Sequence, residues 1–173
     1  MEDIKLSISL KIKNMYIFQM KHAYHGVQGI VAILISVVSL IFYAFTHSTN
    51  QYVTNLMLIF AGLLFTVFVP FKTLYSSFKI IALTPVFRKP LDYCFCEEGI
   101  KVSQDGDEAL LPWEAVIKVD EFMNQLHIYS SPRNGYILPN SQLKDHYEEV
   151  KKIIRDKTDD DCELKLKEAV NKA

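Results

Sequence analysis

Residues 23–71 contain no Lys, Arg, Asp or Glu, and this uncharged stretch restricts the possible folds more than any other feature of the chain. It holds two apolar runs, at 26–45 and 52–71, joined by a short polar segment. At about 1.5 Å rise per residue, each run makes a helix of about 30 Å, which matches the hydrocarbon thickness of a bilayer. The pattern predicts an antiparallel transmembrane hairpin. The alternative, a hairpin buried in a soluble core, is disfavoured because helices that are apolar on every side are rare in a chain of 173 residues.

Basic residues flank the two runs and are absent from the turn between them, which predicts that both termini face the cytoplasm. The flanking residues are Lys5, Lys11, Lys13 and Lys21 before the first run, and Lys72, Lys79, Arg88 and Lys89 after the second. The first run is longer than a signal-peptide core of about 7–15 residues, so we expect it to be retained. No charged residue interrupts either run, so the hairpin itself offers no ion path.

The N-terminal residues alternate apolar Ile and Leu with Lys and Ser from Ile4 to Ile12, a period typical of a half-buried strand. A lone strand is unstable, so residues 1–13 are predicted to join a sheet formed beyond the hairpin, from residues 91–138. Asn14 is a suitable N-cap for a helix that enters the first span, which gives a hairpin unit of 14–71.

After the second run, residues 72–90 continue with helical spacing until Pro85 and Pro90. Two interpretations stay open: a helix that packs on its own domain, or an interfacial helix whose lysines contact anionic headgroups. The candidate lipid contacts are Lys11, Lys13, Lys72, Lys79, Arg88 and Lys89.

Residues 91–156 read as six short strands, a helical turn near Trp113, and a closing helix capped by Asn140 or Ser141. With the N-terminal strand, the fold class is a membrane α-hairpin plus an α+β domain, in which about seven antiparallel strands form an open barrel closed by a C-terminal helix. Residues 91–173 hold eighteen acidic and eleven basic residues, and 157–173 form a charged tail. An acidic domain disfavours nucleic-acid binding.

Three segments carry a family resemblance: Tyr93-Cys94-Phe95-Cys96-Glu97-Glu98-Gly99-Ile100, Leu111-Pro112-Trp113-Glu114-Ala115-Val116 and Gly135-Tyr136-Ile137-Leu138-Pro139. They resemble the YcxB-like family of bacterial membrane proteins, and their grammar is similar to that of pleckstrin-homology-like domains. The resemblance implies a bacterial inner-membrane location and this architecture, with no agreed activity. We expect Trp113 to pack against the sheet, and Gly99 and Gly135 to occupy turns with positive φ.

The sequence contains few patterns typical of a catalytic or metal-binding site. Cys94 and Cys96 share a strand face, and His127 is an imaginable third ligand, but a zinc site needs about four ligands. His22 and His25 are better explained as interfacial side chains than as a metal pair. There is no phosphate-binding Gly-rich loop and no nucleophile motif, so we predict no catalytic residue, cofactor or metal.

Three functions stay open. The first is a non-enzymatic module that binds a protein partner at the cytoplasmic face. The second is a module that responds to lipid headgroups through the juxtamembrane Lys and Arg residues. The third is a subunit of a small oligomeric transporter or enzyme, for which Gly26, Gly29 and Gly62 would allow close helix contacts.

Overall fold

The computed structural model describes residues 3–48, 51–132 and 134–158. The charged tail predicted at 157–173 lies, from residue 159 onward, outside the described residues. The chain divides into two compact units, one made of residues 1–15 and 80–173 and the other of residues 16–79. We call them the sheet unit and the helical unit.

The helical elements are α1 (Ile12–Tyr24), α2 (Gly26–Thr46), α3 (Tyr52–Leu63), a π-helical segment (Leu64–Phe68) and α4 (Val69–Leu83). Two stretches are long and apolar enough to span a membrane, Gly29–Thr46 and the continuous Tyr52–Leu83. The second stretch runs past residue 71 without a break. The first helix begins at Ile12, earlier than predicted, and Asn14 lies inside its first turn, where its side chain accepts a hydrogen bond from the Lys11 N–H (3.0 Å).

The π-helical segment has an identifiable cause in the sequence. The Val69 N–H bonds the carbonyl of Leu64, five residues back, and Pro70 has no N–H with which to bond the next carbonyl, that of Phe65. The Tyr24 hydroxyl donates to the Phe65 carbonyl instead. In a lipid environment an unbonded carbonyl costs several kcal/mol, so this contact stabilises the irregular helix.

Small and polar side chains lie between α2 and α3. A Cβ on Gly62 would come within 2.5 Å of Leu40, and Ser36 is fully buried with its hydroxyl 3.4 Å from the Ala61 carbonyl. Asn55 is buried too, and its Oδ1 accepts from Thr46 Oγ1 (3.0 Å). Close approach over small residues is how apolar helices associate where no water drives burial.

The described residues of the sheet unit form seven strands in two antiparallel sheets. The first sheet has the order β1-β2-β3-β4 and the second β5-β6-β7. The strands are β1 (Ile4–Ile8), β2 (Leu91–Cys96), β3 (Gly99–Gln104), β4 (Asp107–Pro112), β5 (Lys118–Glu121), β6 (Gln125–Tyr129) and β7 (Gly135–Pro139). β1 pairs with β2 from Ile4↔Phe95 to Ile8↔Leu91, which confirms that the N-terminal strand joins the later sheet. It ends at Ile8 rather than Ile12.

The connection from β4 to β5 is a 3₁₀ turn at Trp113–Ala115, and β4 and β5 do not pair. The two sheets are therefore not closed into a continuous barrel. Their apolar faces meet, since the rings of Tyr93 and Tyr136 stand edge to face at 6.0 Å. Trp113 is buried, and its indole N–H donates to the Cys96 carbonyl at 3.0 Å.

Helices α5 (Asn140–Leu143) and α6 (Tyr147–Lys157) follow the second sheet. Helical spacing predicts one apolar stripe of Leu143, Tyr147, Val150 and Ile154; Leu143, Val150 and Ile154 are buried, and Tyr147 is half-buried. The predicted cap at Asn140 or Ser141 is wrong, because Pro139 occupies the N-cap position and its side chain makes no capping bond.

The two glycines singled out from the sequence serve different needs. Gly99 has φ +155°, and a Cβ there would lie 2.2 Å from the Leu111 carbonyl oxygen. Gly135 does not have positive φ, so that prediction is wrong. Its Cβ would lie 2.8 Å from the Ile128 carbonyl oxygen across the strand pair, so glycine is required there for space rather than for backbone conformation.

Candidate interaction surface

Strand β4 forms an open edge of the first sheet. It pairs with β3 on one side, and no described strand pairs with the other side. Five of its six residues are exposed, and only Leu111 turns into the core. Leu110 is 46% exposed beside Glu108 on the outer face of the sheet.

The β3–β4 turn determines which backbone groups point to the open side. Asp105 and Gly106 form a two-residue turn with φ +53° and +96°, so Gln104↔Asp107 is the hydrogen-bonded pair that closes the hairpin. Hydrogen-bonded pairs alternate along an antiparallel ladder, so the N–H and C=O groups of Glu108 and Leu110 point away from β3. We call this row of groups the β4 edge.

A second surface lies at the end of the sheet unit from which the chain leaves toward the helical elements, here called the tethered end. The chain leaves after β1 at Ser9 and returns before β2 at Lys89. Ser9 and Gln142 of α5 exchange two hydrogen bonds of 2.8 Å. Gln104 Nε2 donates to the carbonyl of Val86 (2.8 Å) and lies within 3.3 Å of those of Lys89 and Pro90, which ties the returning segment to the β3–β4 turn.

The candidate lipid contacts are divided between the two units. Lys11, Lys13, Arg88 and Lys89 belong to the sheet unit, and Lys72 and Lys79 to α4 of the helical unit; all six are exposed. Lys89 forms an ion pair with Asp105, with 2.8 Å between Nζ and either carboxylate oxygen. The Arg88 guanidinium lies 3.5 Å from the Ala82 carbonyl.

A comparison with protein families bears on this unit. The sequence model of the YcxB-like protein family matches residues 95–154. The chain carries a YcxB-like segment. It begins within β2 and ends within α6, so it confirms the resemblance while leaving out β1 and the helical unit. No curated protein and no solved structure gives a significant match.

Cys96, inside the YcxB-like segment, and Cys94, just before it, lie on the outer face of the first sheet. Cys94 stands between Lys5 and Lys101 on the adjacent strands, and Cys96 Sγ lies 3.2 Å from the Gly99 carbonyl. Burial raises the pKa of the Cys94 thiol, Asp3 adds to the rise, and the two lysines offset it only in part. A thiol of raised pKa is a weak nucleophile at neutral pH. In the described ranges no three His, Cys, Asp or Glu side chains are placed to hold a metal.

The YcxB-like segment also buries polar groups whose burial the sequence analysis did not predict. His127 is fully buried on β6, with Nδ1 3.3 Å from the carboxylate of Asp120 on β5 and Nε2 3.3 Å from Gln125 Oε1. Lys118 Nζ lies 2.6 Å from the other oxygen of Asp120 and 5.2 Å from the Tyr129 ring centroid. The sequence shows that these residues alternate along β5 and β6. Periodicity alone does not tell whether the face that they share is buried or exposed.

A second network joins β5 of this segment to α6. Glu121 accepts hydrogen bonds from Asn140 Nδ2 (2.9 Å) and the Tyr147 hydroxyl (2.7 Å), and Lys151 Nζ lies 3.3 Å from its second oxygen. Burial alone would raise the pKa of Glu121, but the bonds from Tyr147 and Asn140, with Lys151, outweigh it and lower the pKa below its ordinary value. Such a network fixes α6 on β5.

Proposed function

We propose that this chain is a non-enzymatic membrane protein whose hairpin holds the sheet unit at the cytoplasmic face of the bacterial inner membrane, where that unit binds a protein partner through the β4 edge. The two long apolar stretches support the anchor, and the Lys/Arg bias supports the orientation. Strand β4 is largely exposed and pairs with β3 on one side only, which supports binding through its other edge.

The β4 edge suits an added strand. Its free N–H and C=O groups at Glu108 and Leu110 can bond an extended segment, as in other proteins that bind by strand addition. The exposed Leu110 side chain would contact an apolar residue of that segment, and Asp107 and Glu108 favour basic neighbours. The same two charges, with Pro112 at the strand end, discourage indiscriminate edge-to-edge pairing.

Site-specific photo-cross-linking in intact cells tests the proposal. The full chain carries a benzoyl-phenylalanine probe at position 110, and the matched control carries it at Glu97, which is exposed in the β2–β3 turn and lies outside the β4 edge. We expect one discrete adduct from position 110 and none from position 97.

Two further variants separate strand addition from charge. Glu108→Pro removes an outward N–H without removing a β3–β4 ladder bond, while Glu108→Thr removes the charge and keeps that N–H. Strand addition requires that the proline variant lose the adduct from position 110 and that the threonine variant keep most of it. An adduct that survives Glu108→Pro, in a protein whose Trp113 emission shows an intact core, would refute binding at this edge.

A further inference from the structure

The outer face of the first sheet carries its charges in two rows that cross the strands. The strand register places Lys5, Cys94, Lys101 and Leu110 in one row and Ser7, Asp92, Ser103 and Glu108 in the next. The first row contains two lysines and the second contains an aspartate and a glutamate, so we call them the basic row and the acidic row. At the β4 edge the basic row ends in Leu110 and the acidic row ends in Glu108.

The charges of both rows are accessible to a second protein. Lys5, Asp92 and Glu108 are exposed, and the side chain of Lys101 is 45% exposed. Lys101 Nζ lies 3.5 Å from Glu98, but an ion pair at the surface contributes little and is screened by solvent. Lys101 can therefore attract a further carboxylate, and the face next to the β4 edge offers both signs of charge.

The hydrogen-bonding pattern limits how the β4 edge can pair with the same edge of a second copy. Two identical edges related by a two-fold axis form an antiparallel pair within one sheet. The outward N–H and C=O groups belong to Glu108 and Leu110, and antiparallel pairing places outward-directed residues opposite one another. Three registers satisfy this condition: Glu108 opposite Glu108, Glu108 opposite Leu110, and Leu110 opposite Leu110.

Charge selects one of these registers. Glu108 opposite Glu108 places two carboxylates directly across the strand pair, which is destabilising. Leu110 opposite Leu110 joins two basic rows and places Pro112, which has no N–H, opposite Glu108. Glu108 opposite Leu110 exchanges two hydrogen bonds in each such pair and joins the basic row of each copy to the acidic row of the other. The edge is thus self-complementary in this register alone.

We propose that the protein partner at the β4 edge is a second copy of this chain, paired antiparallel with Glu108 of each copy opposite Leu110 of the other and Ala109 at the two-fold axis. The two four-stranded sheets then form one continuous sheet. The inference rests on the proposed function, which assigns strand addition to this edge, and it names the partner. Anchorage of both copies in one membrane would raise their effective concentration, so a short strand pair is sufficient.

Disulfide formation in native membranes tests the register. The full chain, with Cys94, Cys96 and Cys162 replaced by Ser, carries Ala109→Cys, Leu110→Cys or, as the matched control, Asp107→Cys, all at exposed positions of β4. Two Ala109 residues would face each other in a non-hydrogen-bonded pair with Cα atoms about 4.5 Å apart, within the range of a disulfide. Two Leu110 residues would be diagonal neighbours about 7–8 Å apart, outside that range.

We expect mild oxidation to link position 109 into a dimer of two chains and to leave positions 107 and 110 largely monomeric. Trp113 emission reports whether each variant is folded. A dimer linked through position 110 and not through 109 would overturn the proposed register, and folded protein that stays monomeric at all three positions would overturn the pairing.

Charge reversal tests the complementarity of the rows in the Ala109→Cys background. Lys101→Glu or Glu108→Lys alone joins like charges at both junctions between the copies, so we expect the rate of disulfide formation to fall about tenfold. Co-expression of the two variants with different tags should restore the mixed dimer, because every junction then joins opposite charges. Glu97→Lys, outside both rows, is the control for net charge. Failure of the mixture to recover would overturn the charge pairing.

The photo-adduct from position 110 separates this inference from the proposed function. In cells that express two differently tagged copies, an adduct that contains both tags supports the second copy as the partner. A discrete adduct with another protein would overturn the inference and leave the proposed function standing. The absence of any adduct from position 110 would overturn both.

Discussion

At the scale of single residues, several positions are decided by backbone geometry that the side chain alone does not reveal. Gly99 and Gly135 both look like turn glycines, yet only Gly99 has positive φ, and Gly135 is required by the approach of the Ile128 carbonyl. Met123 shows the reverse case: its backbone favours Asn or Gly, and the residue is apolar. Residue type by itself therefore singled out Gly99 and Gly135 without telling which constraint requires glycine at each.

The Met123→Asn variant should be more stable than the parent protein. Asparagine tolerates positive φ, and the methionine side chain loses little burial, so we expect a gain of about 0.5–1 kcal/mol. The measurement is thermal unfolding in detergent followed by Trp113 emission, with Ser130→Asn, at an exposed position outside the turn, as the control. A loss of stability would show that the methionine packs on its own unit.

At the scale of elements, β1 joins residues separated by the whole helical unit. Ile8 is fully buried and pairs with Leu91, while its neighbour Ser7 is exposed opposite Asp92. The alternating pattern predicted the strand and its apolar face. Its end at Ile8 could not be predicted, because residues up to Ile12 keep the alternation, whereas the pairing with β2 ends at Ile8↔Leu91.

The Ile8→Lys variant should destabilise the sheet unit by several kcal/mol, because it places a charge in the core. Limited proteolysis of the full chain should then cut within 91–138 far faster than in the parent. Ser7→Lys is the matched control, since the same side chain on the exposed face should leave protection unchanged. Equal protection of both variants would contradict the packing of β1.

The Glu121 network makes the attachment of α6 dependent on pH. The pKa of Glu121 is lower in the folded protein than its ordinary value of 4.5, so its stabilisation is complete above that value and is lost as the pH falls through the folded pKa. We expect Glu121→Gln to lower stability at neutral pH and to flatten its decline between about pH 5 and about pH 3. Urea unfolding followed by Trp113 emission across this range measures both effects. Parallel pH profiles for the two proteins would contradict the assignment.

At the scale of the whole molecule, charge is distributed in zones. Uncharged residues occupy 23–71, basic residues flank them, and acidic residues predominate from 91 onward. This distribution predicts the location and orientation without any tertiary information, since the transfer of charges into lipid is costly whatever the fold.

The orientation can be measured with a membrane-impermeant maleimide on intact cells. In a background with all three cysteines replaced by Ser, Ser48→Cys in the turn between the spans should react, and Glu97→Cys in the sheet unit should react only after lysis. Both positions are exposed, so access to the reagent decides the outcome. Labelling of position 97 in intact cells would show that the topology is the opposite of the one predicted.

The sequence by itself determined the apolar spans, the number of strands and the YcxB-like character, because these follow from local composition, period and motif. Tertiary structure alone decided that the two sheets stay unclosed with β4 at an edge. It also decided that His127 and Asp120 are buried. These features depend on hydrogen bonds between residues far apart in the chain, such as Ser9 with Gln142, and no local pattern specifies which distant partner completes such a bond.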